Sequence, residues 1–226
     1  MTPLNEDRLV QQTMADYLAT VLGWNSVLAF NSETLGTEGT LGRASEADVI
    51  LTRYLGEALI RLNPGLPEAA YADALRQITD APLGSDLLAI NRDAYRLIKD
   101  GVLASFRDAK GNLVKQRLRL IDFDTPENNH FLCVRELWVR GDLYRRRPDI
   151  IGYVNGLPLL FVECKALHMD IRHAFEQNLS DYKDTIPHLF HHNAFIILTN
   201  GYAAKIGSLS SRYEHFNDWT RLEEDE

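Results

Sequence analysis

Residues 159–162 of this chain, Leu-Leu-Phe-Val, are apolar on both faces of a strand, and they run straight into Glu163-Cys164-Lys165. A strand with no polar face belongs inside a sheet that is covered on both sides. Ending it in two opposite charges is costly unless both find partners, because a buried ion needs a counter-charge or a ligand. Side chains alternate along a strand, so Glu163 and Lys165 share one side and Cys164 faces the other. The segment therefore demands a layered fold with a polar site at one end of an inner strand.

A second apolar stretch, Asp149 to Val154, precedes it, and the Asn155-Gly156 between them is a strong hairpin signal. Turn length decides whether Asp149 joins Glu163 and Lys165. A two-residue loop pairs Val154 with Leu157 and sets Asp149 against Val162, on the wrong face. A three-residue loop of Val154-Asn155-Gly156, with Gly156 left-handed, pairs Tyr153 with Leu157 and brings Asp149 to the right one. The expectation is the three-residue loop or an equivalent one-residue bulge.

Around this hairpin, residues 5–22 place Leu9, Met14, Leu18, Val21 and Leu22 near helical spacing, with Gly23 suited to the C-terminal cap. Residues 31–44 read as loop. Residues 46–62, 67–78 and 85–99 read as helices, the last with Ser85 as candidate N-cap. Beyond Gly101, alternation with β-branched and aromatic residues predicts strands over 114–123 and 131–140. Residues 171–183 read as a helix ended before Pro187, and 194–199 as a buried strand. The fold class is α/β: a mixed central β-sheet flanked by helices, with a helical elaboration over 46–100. The core covers about 114–205 plus the first helix. A single domain is expected over 1–222, with the acidic Glu223-Glu224-Asp225-Glu226 starting a linker.

Hydrophobic residues at 45% and charged residues at 25% exclude disordered and fibrous classes. No apolar run approaches the roughly 20 residues a bilayer requires, and the polar start carries no signal pattern. The expectation is a cytoplasmic protein that does not enter a membrane. Two cysteines, Cys133 and Cys164, with no CxxC spacing provide neither a disulfide framework nor a thiolate metal site. A net charge of −8 argues against coating nucleic acid by bulk charge. A local surplus nevertheless lies between Arg135 and Arg147, with arginines at 135, 140, 145, 146 and 147 against Glu136 and Asp142.

If Asp149 and Glu163 converge, two neighbouring carboxylates bind a hard divalent cation well, and Mg²⁺ takes one or two carboxylates with waters and phosphate oxygens. Lys165 beside them could orient or deprotonate a water, or stabilise charge on a phosphate. Those are the needs of phosphodiester hydrolysis. By letters alone the motif is weak, and a surface hairpin with an ordinary Glu/Lys pair is the competing reading. His188-x-x-His191-His192 invites zinc but lacks thiolates and follows a helix-ending proline. Arg145, Arg146 and Arg147 stand just before Asp149, either as a solvated loop or as phosphate contacts at the mouth of the site.

Pro148-Asp149, Asn155-Gly156-Leu157-Pro158 and Val162-Glu163-Cys164-Lys165 resemble the N-terminal nuclease domain of the restriction (motor) subunit of type I restriction–modification enzymes, a branch of the PD-(D/E)xK nucleases. The likeness continues through Asn178-Leu179-Ser180-Asp181-Tyr182-Lys183, Ile186-Pro187-His188-Leu189-Phe190, Asn193 and Thr199-Asn200-Gly201. The resemblance implies a restriction-endonuclease-like core. In it Asp149 and Glu163 hold Mg²⁺ with the Cys164 carbonyl, and Lys165 assists the attacking water. The family often has Gln-xxx-Tyr on the following helix. Here Asn178 stands at that spacing from Tyr182 and Gln177 is one position early, so which amide acts stays open. Glu6 would approach the site from the first helix, or else be a surface residue.

The resemblance further implies DNA endonuclease activity without sequence reading of its own, on double-stranded DNA. Sequence choice would come from modification (methyltransferase) and specificity subunits, and ATP-driven translocation from a motor region. No Gly-Lys dipeptide occurs, so no Walker A phosphate loop is present in these residues. Two alternatives stand beside it: a subunit-docking module using residues 46–100, and a standalone DNA-repair or junction nuclease.

Overall fold

The computed structural model of the chain describes residues 6–80 and 86–219, with side chains from Leu9 onward. The expected domain end at 222 and the linker 223–226 lie outside the described residues. Helix α1 (Glu6–Thr20) leads into β1 (Asn25–Leu28), followed by α2 (Thr52–Leu62), α3 (Glu68–Thr79) and α4 (Leu87–Asp100). A hairpin of β2 (Val102–Arg107) and β3 (Leu113–Leu118) comes next, then β4 (Phe131–Arg135), β5 (Val139–Arg140) and β6 (Arg145–Arg146). The chain continues through β7 (Ile150–Val154), β8 (Leu157–Cys164), α5 (Ser180–Thr185), β9 (Phe195–Thr199), β10 (Ala204–Gly207) and β11 (Asn217–Asp218).

Seven strands form one mixed sheet in the order β1-β4-β7-β8-β9-β10-β11. The β1–β4 and β8–β9 pairs are parallel and the others antiparallel. β8 is buried at every residue, as its two apolar faces require. One face carries Phe161, Ile151 and Leu198 in a cluster with Tyr182, Ile186 and Phe190. The opposite face carries Ile150, Leu160 and Val162 against Val10, Ala15 and Leu18 of α1. A third cluster joins α2, α3, α4 and the β2–β3 hairpin to Leu157 and Leu159 at the start of β8. This is the mixed α/β architecture of a PD-(D/E)xK nuclease-like fold. No helix among the described residues is long and apolar enough to cross a membrane.

Several local expectations are corrected. The helix expected from Glu46 starts at Thr52, because Val49 and Leu51 are drawn into the core and the Leu51 N–H donates to the Gly156 carbonyl at 2.9 Å. The expected N-cap Ser85 lies outside the described residues. Asp86 caps α4, its carboxylate accepting from the N–H groups of Leu88 and Ala89. The strand expected over 114–123 ends at Leu118, where the Arg119 N–H turns to the Asn63 side chain at 2.7 Å. The segment expected as one strand over 131–140 breaks at Glu136, which takes φ +52°. The helix expected over 171–183 is a π-helical turn over Ala174–Leu179 that continues as α5.

Candidate active site

The β7–β8 turn contains two residues, not the three expected: Val154 pairs with Leu157, and Asn155 and Gly156 take φ +51° and +82°. Both central residues being left-handed suits the right-handed twist of the flanking strands. The Asn155 side chain, fully buried, locks this turn. It accepts from the His130 N–H and from Arg61, and donates to the Leu120 carbonyl and the Asn129 side chain. A Cβ on Gly156 would meet the Leu51 carbonyl at 2.4 Å, so only glycine fits.

The face of Asp149 is rescued by the expected alternative, a one-residue bulge. Tyr153 pairs with Pro158 but Gly152 pairs with Leu160, leaving Leu159 as the extra residue of β8. Continuing that register one step past Ile150–Val162 sets Asp149 against Glu163. Gly152 has no room for a side chain here, since a Cβ would lie 2.8 Å from the Leu160 Cβ.

Asp149 is held from three directions. Its Oδ2 accepts the Cys164 N–H at 2.7 Å, and its carbonyl accepts the Glu136 N–H at 2.9 Å. Gln11 of α1, itself buried, donates Nε2 to that same carbonyl at 3.2 Å and lies 3.4 Å from Oδ1. Glu163 is 2% exposed, with Oε1 3.6 Å from the Lys165 ammonium and Oε2 buried without a hydrogen-bond partner among the described residues. Burial, then the Asp149 charge, push its carboxyl well above the usual range, and Lys165 only partly opposes them. Lys165 donates Nζ to Asn178 Oδ1 at 2.7 Å, while its N–H is fixed to the Thr199 carbonyl.

Asn178, not Gln177, thus meets the lysine; Gln177 turns to the His173 ring at 3.2 Å. Tyr182 packs edge-on to Phe161 with ring centroids 5.8 Å apart. Burial and then the Glu163 charge raise its hydroxyl pKa, and a hydrogen bond with Asn178 opposes the rise. Tyr182 is thus a core residue whose polar end belongs to the site.

The arginine triplet does not form a free basic mouth. Arg145 pairs with Glu46 at 2.5 Å and lies over the Trp138 ring, Arg146 pairs with Asp181 at 2.5 Å, and Arg147 pairs with Glu136 at 3.1 Å. Acids distant in sequence have claimed these charges. Glu6 opens α1, but its side chain lies outside the described residues. His188, His191 and His192 line a separate cavity of about 450 Å³ beside α4.

No three His, Cys, Asp or Glu side chains cluster as a metal cage among the described residues. Two carboxylates and a main-chain carbonyl nevertheless suit Mg²⁺, which keeps several waters. The orphaned, buried Glu163 Oε2 beside a second carboxylate is what a cation would satisfy. Gln11 was missed in the sequence reading. Its signal is that it shares a helical stripe with Met14, Ala15 and Leu18, where an apolar residue would be ordinary.

A family profile described as type I restriction enzyme R protein N terminus matches residues 3–215. The endonuclease subunit of the type I restriction enzyme HindI from Haemophilus influenzae is 35% identical over 225 residues, 98% of this chain and 21% of that protein. A putative type I endonuclease subunit, MjaIXP of Methanocaldococcus jannaschii, is 26% identical over 189 residues, 81% of this chain and 18% of its own length. The chain spans about a fifth of the curated relatives it matches. With its mixed sheet, the carboxylates gathered at the end of β8 and a match running almost end to end, the chain belongs to the family of type I restriction enzyme R protein N-terminal domains.

Proposed function

We propose that this domain hydrolyses DNA phosphodiester bonds with a divalent cation at Asp149, Glu163 and the Cys164 carbonyl. The observation that carries the reading is the buried Glu163 carboxyl, one oxygen orphaned, held against Asp149 and Lys165. When bound, the cation offsets phosphate charge and makes a water more acidic. Asp149, tied down by Cys164 and Gln11, has its orientation set before any ligand arrives. Lys165, steered by Asn178, points its ammonium into the same space and can orient the attacking water or stabilise charge on the scissile phosphate. Tyr182 and Asn178 support that lysine. Arg145, Arg146 and Arg147 would meet phosphates in competition with their partners Glu46, Asp181 and Glu136.

In this reading the domain works within a cytoplasmic assembly with modification and specificity subunits, and an ATP motor elsewhere in the subunit delivers double-stranded DNA. D149A, E163A and K165A in the full-length assembly are each expected to abolish cutting of a supercoiled plasmid while ATP hydrolysis continues. Undiminished cutting by any one of them would overturn the assignment.

A further inference from the structure

The β2–β3 hairpin stands apart from the main sheet as a two-stranded ribbon. Its inner side chains, Val102, Ala104 and Leu118, are buried against α2, α3 and α4. Its outer face pairs Leu103 with Arg117, Ser105 with Lys115, and Arg107 with Leu113, all of them exposed. Arg119 extends the row beyond β3, and Lys110 lies in the turn. Residues 102–119 thus hold five cations against one carboxylate, Asp108, in a chain whose net charge is −8. That carboxylate accepts from the N–H groups of Lys110 and Asn112 in the turn and keeps its charge, which leaves the segment a surplus of four positive charges.

Unlike the arginines at 140–147, four of these five cations, Arg107, Lys110, Lys115 and Arg117, have no ion pair among the described residues. Arg107 donates to the Gly111 carbonyl and Arg117 to the carbonyls of Asp100 and Gly101, which carry no net charge. Lys110 and Lys115 make no ion pair among the described residues. Arg119 reaches Asp122 and Asp124 only at 4.0 and 3.9 Å, and is largely exposed.

We infer that the outer face of this ribbon is a second, non-catalytic contact for duplex DNA, gripping the phosphate backbone away from the carboxylate centre. The inference rests on the nuclease reading for its choice of ligand. The hairpin packs on Leu157 and Leu159, whereas Glu163 lies toward the other end of β8, about 13–20 Å along at the strand rise. From Lys115 to Arg119 the row covers about 13 Å. A duplex places a negative charge every ~1.7 Å of its axis with both strands counted, so roughly eight phosphates lie along that length. This density favours DNA over an acidic protein surface. The residues are phosphate-binding types, so the contact positions DNA without reading bases.

The test is fluorescence anisotropy of this chain with a labelled duplex of mixed sequence, in EDTA, titrated with KCl. K115Q/R117Q/R119Q removes three contacts and is expected to flatten the slope of log K against log salt by about 2.7, with affinity falling ~tenfold or more at moderate salt. K110Q/K115Q removes two exposed side chains that make no hydrogen bond or ion pair among the described residues, so its folding is not at issue; its slope is expected to flatten by about 1.8. Unchanged slopes and affinities in both variants would overturn the inference. So would equal competition by polyglutamate at matched charge, which would point to an acidic protein partner. Cutting of a supercoiled plasmid by the full-length assembly reads the carboxylate centre and anisotropy in EDTA reads the ribbon, so failure of the catalytic reading and failure of the ribbon are seen separately.

Discussion

The Glu163 carboxyl keeps its proton to higher pH than an ordinary glutamate, because burial and Asp149 both disfavour the charged form. In the unfolded chain the same group ionises near its usual value. The native state therefore holds more protons once pH passes that value, and stability falls as pH rises. The contribution is fully present below the ordinary glutamate range and is lost as pH climbs through the raised value of Glu163. E163Q abolishes the cost. In EDTA at pH 8 its melting temperature is expected to exceed that of the native chain by roughly 2–4 °C, the shift for about 1 kcal/mol in a domain of this size. Near pH 4 the difference should close, and calorimetry showing no pH dependence in the gap would refute the strained-carboxylate account. Gln11 acts on the other acid: Q11A leaves Asp149 with a looser backbone and side chain. Calorimetric Mn²⁺ binding is expected to weaken about tenfold, as when groups that orient a metal ligand are lost. Unaltered affinity would reduce Gln11 to a packing role.

Among the elements, the β7–β8 hairpin decides whether the site exists. A flat two-residue hairpin would turn Asp149 away, and the extra residue at Leu159 restores its face. Asn155 anchors the turn end, so N155A would leave the His130 N–H and the Leu120 carbonyl without partners and strain a left-handed residue. A loss of roughly 3 kcal/mol is expected, seen as a fall of ~6–12 °C in the melting temperature. A fall under 2 °C would mean that the turn holds itself by backbone alone. The π-helical turn over Ala174–Leu179 has a comparable part, since it presents Asn178 to Lys165 while Gln177 faces His173. Such turns often mark functional positions within helices.

For the whole molecule, cation binding and folding should be linked through the two carboxylates. A ligand at a hundredfold its Kd stabilises by about 2.7 kcal/mol, or ~5–10 °C here. Mn²⁺ is expected to raise the melting temperature of the native chain and not that of D149A. Equal shifts in both would place the ion elsewhere. Much of this was legible from residues alone. An apolar run ending in Glu-Cys-Lys had to be an inner strand, Asn155-Gly156 had to turn, and the acids had to seek a partner, because periodicity, turn chemistry and the cost of burying charge act within a few residues. The tertiary structure alone decided that the bulge sits at Leu159 and not in the turn, and that Gln11 crosses from α1 to Asp149. It also decided that Glu46, Glu136 and Asp181 neutralise Arg145, Arg147 and Arg146, leaving Arg107, Lys110, Lys115 and Arg117 to carry the open positive charge. Those outcomes depend on which distant segments meet and in what register, and pairwise electrostatics fades too quickly with distance for a linear string to reveal it.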